Sequence, residues 1–251
     1  MTQAIVVERE SAVLTLRLNR PDKKNALTRE MYSALARALE QADADVGVHA
    51  VLICGSAECF TSGNDIADFL EQPPQDMQSP VFCFMRSLLE CRKPVVAAVA
   101  GAAVGIGTTL LLHCDLVYVS HDARLRMPFV NLGLSPEFGS SLLLAQLVGQ
   151  ARAAALLLLG EGFSGEQAAA WGVANQAMAS GAAALEKARE AAHRLAGLAP
   201  AAVQDSKRLM KAPGREQLRQ VIEEESWLFI QRLGSPEAVA ALSGFINKAR
   251  S

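Results

Sequence analysis

The sequence predicts an α/β fold that passes into a helical C-terminal region. Short apolar segments of strand character alternate with amphipathic segments of helical period as far as about residue 195. That alternation calls for a sheet with crossover connections. From Ser140 onward most segments have helical period, and alanine is abundant while aromatics are only 5% of the chain, which favours helix over strand. The expected division is residues 1–197 as the α/β core and residues 198–251 as the helical region.

Residues 4–9 and 12–19 read as paired strands, the second placing Leu14, Leu16 and Leu18 on one face and Val13, Thr15 and Arg17 on the other. Pro21-Asp22 marks a charged turn within NRPDKKNAL. Thr28 is placed to cap a helix carrying Met31, Leu35, Leu39 and Ala42 at helical spacing. A buried strand over 50–54 ends at Gly55-Ser56, and CFTSGNDIADFL (59–70) leads into EQPPQDMQSP, an irregular loop. A helix over about 81–91 precedes Pro94 and the strand VVAAVA, which stops at Gly101. The segment 101–115 turns at its glycines and enters a helix, and DLVYVS and a shorter stretch near 124–127 are further strands. Ser164 and Gln167 have capping-box spacing. Helices are expected over about 182–197, 200–211 and 215–232, with Pro236 opening the last one.

The composition narrows the function. At 251 residues, 51% hydrophobic and 20% charged, the chain can bury a substantial core. A net charge of −2 offers no electrostatic reason to expect nucleic acid or an anionic membrane as partner. Cys54, Cys59, Cys83, Cys91 and Cys114 are an odd set without CxxC spacing, and His49, His113, His121 and His193 are dispersed, so reduced thiols and no metal site are expected. The strand-like start leaves no room for a leader, the longest apolar runs are too short to span a bilayer, and KARS is not the common peroxisomal tripeptide. A soluble, cytoplasmic protein is the expectation.

Three places carry candidate chemistry. Glu137, in PFVNLGLSPEFGSSLLL (128–144), is the only acidic residue between Asp122 and Glu161. Apolar neighbours disfavour an ionised carboxyl and raise its pKa, which is one way to tune a general acid–base group; a solvated loop acid near a helix start is the plainer reading. Thr61-Ser62-Gly63-Asn64-Asp65 and Gly101 to Gly107 are glycine turns at the ends of buried strands. Converging backbone N–H groups in such turns can hold an oxyanion, although glycine also serves ordinary strand-to-helix turns. The second turn lacks a Lys-Ser/Thr ending and GxGxxG is absent, so neither nucleotide fingerprint applies.

The pieces LNRPDKKNAL (18–27), CFTSGNDI (59–66), KPVVAAVAGAAVGIG (93–107), CDLVYVS (114–120), FSGEQAAAWGVAN (163–175) and SPEAVAALSGFINKAR (235–250), taken in order, resemble the enoyl-CoA hydratase/isomerase (crotonase) superfamily over nearly the whole chain. The resemblance implies a crotonase-like spiral of ββα units with a C-terminal helical trimerisation region. It implies an acyl-CoA thioester as substrate with no further cofactor, and a homotrimer or dimer of trimers. It places the oxyanion N–H groups at Ser62 and Ile106, the latter where relatives usually have glycine. The substrate-contacting set it implies is Lys23, Lys24, Ala26, Gly63, Asn64, Asp65, Ile66, Phe129, Leu132 and Lys248, with Asp65 holding its turn.

Hydratases of this superfamily carry two glutamates, at positions occupied here by Thr109 and Phe129. Ser135-Pro136-Glu137, followed by Ser140 and Ser141, instead resembles peroxisomal-type enoyl-CoA isomerases. The resemblance therefore implies Glu137 as the base that moves a 3-enoyl-CoA double bond to the trans-2 position through a thioester dienolate. A hydratase or another acyl-CoA enolate enzyme of the family is the alternative, and a non-catalytic acyl-CoA-binding homologue is an alternative of another class.

Overall fold

A computed structural model describes residues 3–250, with side chains to Phe245. In chain order it contains β1 (Ile5–Glu10), β2 (Val13–Leu18), α1 (Arg29–Ala44), β3 (Ala50–Cys54), α2 (Ile66–Glu71), α3 (Pro80–Glu90) and β4 (Val95–Val99). Then follow β5 (Ala102–Val104), α4 (Ile106–Thr109), β6 (Leu116–Ser120), β7 (Arg124–Arg126), α5 (Ser140–Val148) and α6 (Gln150–Leu158). The rest is β8 (Gly162–Ser164), α7 (Gly165–Ala170), β9 (Gln176–Met178) and four helices, α8 (Gly181–Ala196), α9 (Pro200–Lys211), α10 (Arg215–Leu233) and α11 (Pro236–Arg250).

Six strands form one sheet in the order β1-β2-β3-β4-β6-β9, antiparallel only between β1 and β2. Three short strands form a second sheet in the order β5-β7-β8. The pairs β4–β5 and β6–β7 each give one strand to either sheet, so successive units step along both together. Because both faces of the long sheet are covered, β3 and β4 are apolar and buried throughout rather than alternating. Leu52, Cys54, Val96 and Ala98 face Ala188 and Ala192 of α8, while Val51, Ile53, Val95, Ala97 and Val99 face the larger core. Val13 belongs to the α8 side, which is why β2 shows no single solvated face.

Local signals read from the sequence are present as capping geometry. Thr28 accepts a hydrogen bond from the Met31 N–H, and Ser164 and Gln167 form a reciprocal capping box. Each such cap is worth about 1 kcal/mol. The three-residue strands β5, β8 and β9 were not expected, and the helix after the second glycine turn is a single turn of α followed by a 3-10 turn over Leu110–His113. No described helix is long and apolar enough to cross a membrane.

The junction of the two sheets positions the glycine turns. Phe60 and Thr61 donate backbone hydrogen bonds to Ala100 O and Ala102 O, and Val104 donates to Thr61 O, so the first turn lies alongside the segment entering the second. Gly101, with φ +58°, makes this approach possible: a Cβ there would sit 1.9 Å from Glu58 O. Replacement of Gly101 by alanine is expected to destabilise the protein by about 3 kcal/mol or more. The midpoint of urea unfolding checks this, and an unchanged midpoint would show that the approach is not tight.

Candidate active site

The loop of residues 20–27 is laced onto the first glycine turn. Asn25, buried and with φ +55°, donates through Nδ2 to Cys59 O and Phe60 O, while Thr61 Oγ1 donates to Asn25 O. Leu27 N donates to Gly63 O at 2.8 Å and Asp65 N donates to Leu27 O at 2.9 Å. Arg20 joins the two segments through Asp65 at 2.6 Å and Ala26 O at 3.0 Å. Asp65 also accepts from the N–H groups of Ala67 and Asp68, so it caps the short helix that starts at Ile66. These partners favour the charged carboxylate and, against its partial burial, hold Asp65 below the usual range.

This lacing corrects one expectation. The Ser62 N–H is not available to an oxyanion, because it donates to Lys24 O at 2.9 Å. Gly63 N donates to Thr61 Oγ1 at 3.1 Å. Among the described residues, Asn64 N is the one backbone donor between Ser62 and Asp65 that has no partner. The second turn supplies another: Gly105 N donates to Arg126 O, Thr108 and Thr109 donate back to Gly105 O, and Ile106 N, at the first position of α4, is left without a partner. The two turns are in contact, since a Cβ at Gly107 would lie 2.5 Å from Thr61 Cγ2 and one at Gly63 would lie 2.7 Å from Val104 O.

Glu137 is buried, with 4% of its surface exposed. The Thr109 hydroxyl donates to its Oε1 in a short contact, and Oε2 is buried with no partner among the described residues. Burial pushes the carboxyl up from the ordinary 4.5 to about 8; the Thr109 hydrogen bond pulls it back and the charge of Glu225 adds to the rise. The magnitudes fit that order. A rise of this size is worth about 5 kcal/mol, whereas a hydrogen bond to a charged group contributes roughly 1.5–3 kcal/mol. Burial wins.

Two groups outside the predicted set hold the Glu137 loop. Phe138 and Gly139 both have positive φ, +58° and +72°. His113 stacks on Phe138 with ring centroids 3.7 Å apart and donates through Nε2 to Phe138 O at 2.7 Å. Its burial drives the imidazole down to about 3, so the neutral ring makes this contact across the working pH range. From α10, Glu225 accepts from Gly139 N at 2.5 Å and from Ser141 N at 2.9 Å, at the start of α5. Nothing local in the sequence distinguishes Glu225 from its neighbours Glu223 and Glu224. A third group, Tyr32 of α1, donates its hydroxyl to Asn64 Oδ1 in a short contact.

The remaining predicted residues divide clearly. Phe129 is buried beside the second turn, its ring 3.9 Å from the Cβ position of Gly105, and Leu132 is half-buried against the core. The side chains of Lys23 and Lys24 are exposed, with no ion-pair partner among the described residues, and Ala26 N donates to Lys23 O. The side chain of Lys248 lies outside the described residues. A cleft of about 470 Å³ lies under residues 72–79, with Tyr32 and Phe69 in its wall. A larger one of about 880 Å³, between the end of α3 and α9–α10, includes neither Glu137 nor the glycine turns. No three His, Cys, Asp or Glu side chains are grouped to hold a metal ion among the described residues.

Comparison with known proteins extends over nearly the whole chain. The family model described as enoyl-CoA hydratase/isomerase matches residues 8–250. The chain is 38% identical over 180 residues to 1,2-epoxyphenylacetyl-CoA isomerase of Escherichia coli (strain K12), covering 69% of each. It is 33% identical over 256 residues to enoyl-CoA delta isomerase 2 of Rattus norvegicus; 98% of this chain is aligned, and it spans 64% of that relative's length. The solved structure of Pseudomonas aeruginosa OdaA matches with a TM-score of 0.95 and 65% identity, covering 97% of this chain and 99% of that one.

The burial of Glu137 has a stability consequence. Its folded pKa is raised above the unfolded value, so between 4.5 and about 8 the folded state binds more protons than the unfolded one, and stability falls as pH rises through that window. Glu137→Gln removes this penalty. The variant is expected to match the wild type near pH 4 and to exceed its stability by on the order of 3 kcal/mol at pH 7. Urea unfolding of both proteins at the two pH values tests it, and a constant difference would contradict it.

Proposed function

The chain belongs to the enoyl-CoA hydratase/isomerase family, and on that premise we propose that it isomerises a 3-enoyl-CoA to the trans-2-enoyl-CoA. The observation that carries this reading is Glu137: one buried carboxyl, one oxygen held by Thr109 and the other without a partner among the described residues.

In the proposed reaction Glu137 Oε2 takes a proton from C2, which the thioester carbonyl acidifies. The C2–H electron pair forms the bond between C1 and C2, and charge moves onto the thioester oxygen. We assign the oxyanion donors to the backbone N–H groups of Asn64 and Ile106. The dienolate then collapses: electrons return from the oxygen, the C1–C2 pair shifts to form the C2–C3 double bond, and the C3–C4 pair takes the proton from Glu137 at C4. The conjugated product leaves the carboxyl ionised again. A carboxyl poised at about 8 suits both transfers, being strong enough as a base and acidic enough when protonated. The Thr109 hydroxyl fixes the orientation of the carboxyl plane through Oε1.

Hydration would need a second carboxylate to activate water. Thr109 and Phe129 occupy the places where hydratases of the family carry theirs, and the neighbouring buried acid, Glu225, has its two oxygens committed to Gly139 N and Ser141 N. The backbone around Lys23, Lys24 and Ala26 is assigned to the nucleotide end of CoA, and the loop over the cleft at 72–79 to selection of acyl length. A homotrimer or dimer of trimers is proposed as the assembly. Exposed apolar side chains such as Leu209 and Met210 on α9 and Trp227 and Leu228 on α10 support it.

Two assays separate the readings. With 3-hexenoyl-CoA, conjugated enoyl absorbance is expected to appear, whereas crotonyl-CoA is expected to be hydrated slowly or not at all. Glu137→Gln keeps the shape and removes the base, and should lower isomerisation by 100-fold or more, in the range of about 10²–10⁴ for a general acid–base group. Rapid hydration without isomerisation, or a Glu137→Gln variant within about tenfold of wild type (~1.4 kcal/mol of barrier), would overturn the proposal.

A further inference from the structure

Tyr32 is fully buried on α1, and every other buried residue of that helix is apolar: Met31, Leu35, Ala36, Ala38, Leu39 and Ala42. Packing alone would be served by phenylalanine, since the ring sits against Phe84 of α3 with centroids 5.6 Å apart. The hydroxyl adds a polar atom that must find a partner once buried. That partner is Asn64 Oδ1, in the first glycine turn.

Asn64 is the residue whose restraint matters. Around it Ser62 N, Gly63 N and Asp65 N are bonded to Lys24 O, Thr61 Oγ1 and Leu27 O, and its own N–H is unpartnered among the described residues. A free asparagine side chain tends to bond to nearby backbone N–H groups, turning the local peptide as it does so. Here the Tyr32 hydroxyl engages Oδ1 instead. It does so from a packed pair of helices rather than from a loop, so the restraint is rigid.

We propose that Tyr32 is a positioning residue whose buried hydroxyl, by holding the Asn64 side chain, fixes the direction of the Asn64 N–H and so sets the polarisation of a bound thioester carbonyl. The phenol is suited to remain a donor. Burial, with the charges of Glu137 and Asp68 nearby, raises its pKa well above the usual 10, so it does not ionise at working pH. The inference rests on the assignment of Asn64 N as an oxyanion donor, and its spectroscopic test does not depend on which reaction follows.

The test is the infrared spectrum of bound hexanoyl-CoA labelled with carbon-13 at the thioester carbonyl, in wild type, Tyr32→Phe, Asn64→Ala and the double variant. Wild type is expected to shift the carbonyl to lower wavenumber than in free thioester, and Tyr32→Phe to lose much of that shift. With 3-hexenoyl-CoA, kcat should fall about tenfold with KM within about twofold, a fraction of the 100-fold that a misplacement of ~1 Å can cost. In the Asn64→Ala background, replacing Tyr32 should change neither readout further. No carbonyl shift in wild type, a full shift in Tyr32→Phe whatever its stability, or independent effects of the two substitutions would overturn the proposal. Should wild type polarise the carbonyl yet fail to isomerise 3-hexenoyl-CoA, the isomerase reading fails while the role of Tyr32 is still decided by the spectra.

Discussion

The constraint on which the site depends is the burial of one carboxyl. Glu137 sits buried between Thr109 of α4 and the start of α5, where an ionised group is costly, and burial accordingly pushes its pKa up. Everything in direct contact with the loop limits the ways in which the cost could be relieved. Thr109 engages one oxygen, His113 stacks on the next residue, and Glu225 anchors the two N–H groups beyond it. Among the described residues no cation pairs with the carboxyl, and its second oxygen has no partner. Such stored unfavourable energy is characteristic of a functional site.

The fold delivers the other half of the site through backbone alone. Each glycine turn lies at the junction of the two sheets, and in the first one Lys24 O, Thr61 Oγ1 and Leu27 O take the N–H groups of Ser62, Gly63 and Asp65. What is left over is as informative as what is paired. Asn64 N and Ile106 N are unpartnered among the described residues on adjoining turns, one beyond β3 and the other at the start of α4. The Ile106 side chain is buried in the core, and isoleucine in place of glycine keeps the backbone N–H itself.

The architecture was legible because its signals are local. Apolar runs at 50–54 and 95–99, the Thr28 cap and the Ser164–Gln167 box depend on residues a few positions apart, and they form as read. Of the four three-residue strands only β7, near 124–127, was legible; β5, β8 and β9 are defined by pairing with distant segments that no local pattern announces. The site was half legible. Glu137 stands out as a lone acid among apolar residues, whereas the family resemblance points to Ser62 in the first turn, and the bond of its N–H to Lys24 O, from a loop far earlier in the chain, has no local signal. Tyr32 reads as one more residue of an amphipathic helix, and Glu225 as one of three consecutive glutamates. Their roles exist only through partners brought in by the fold.

The central claim is that the fold holds Glu137 as a nearly neutral, dry carboxyl poised for proton transfer. Carbon-13 NMR of protein labelled at the glutamate carboxyl carbons, titrated from about pH 4 to about pH 10 and compared with Glu137→Gln for assignment, reads this directly. One resonance, missing from the variant, should titrate near 8. A Glu137 resonance that titrates near the ordinary 4.5 would contradict the account.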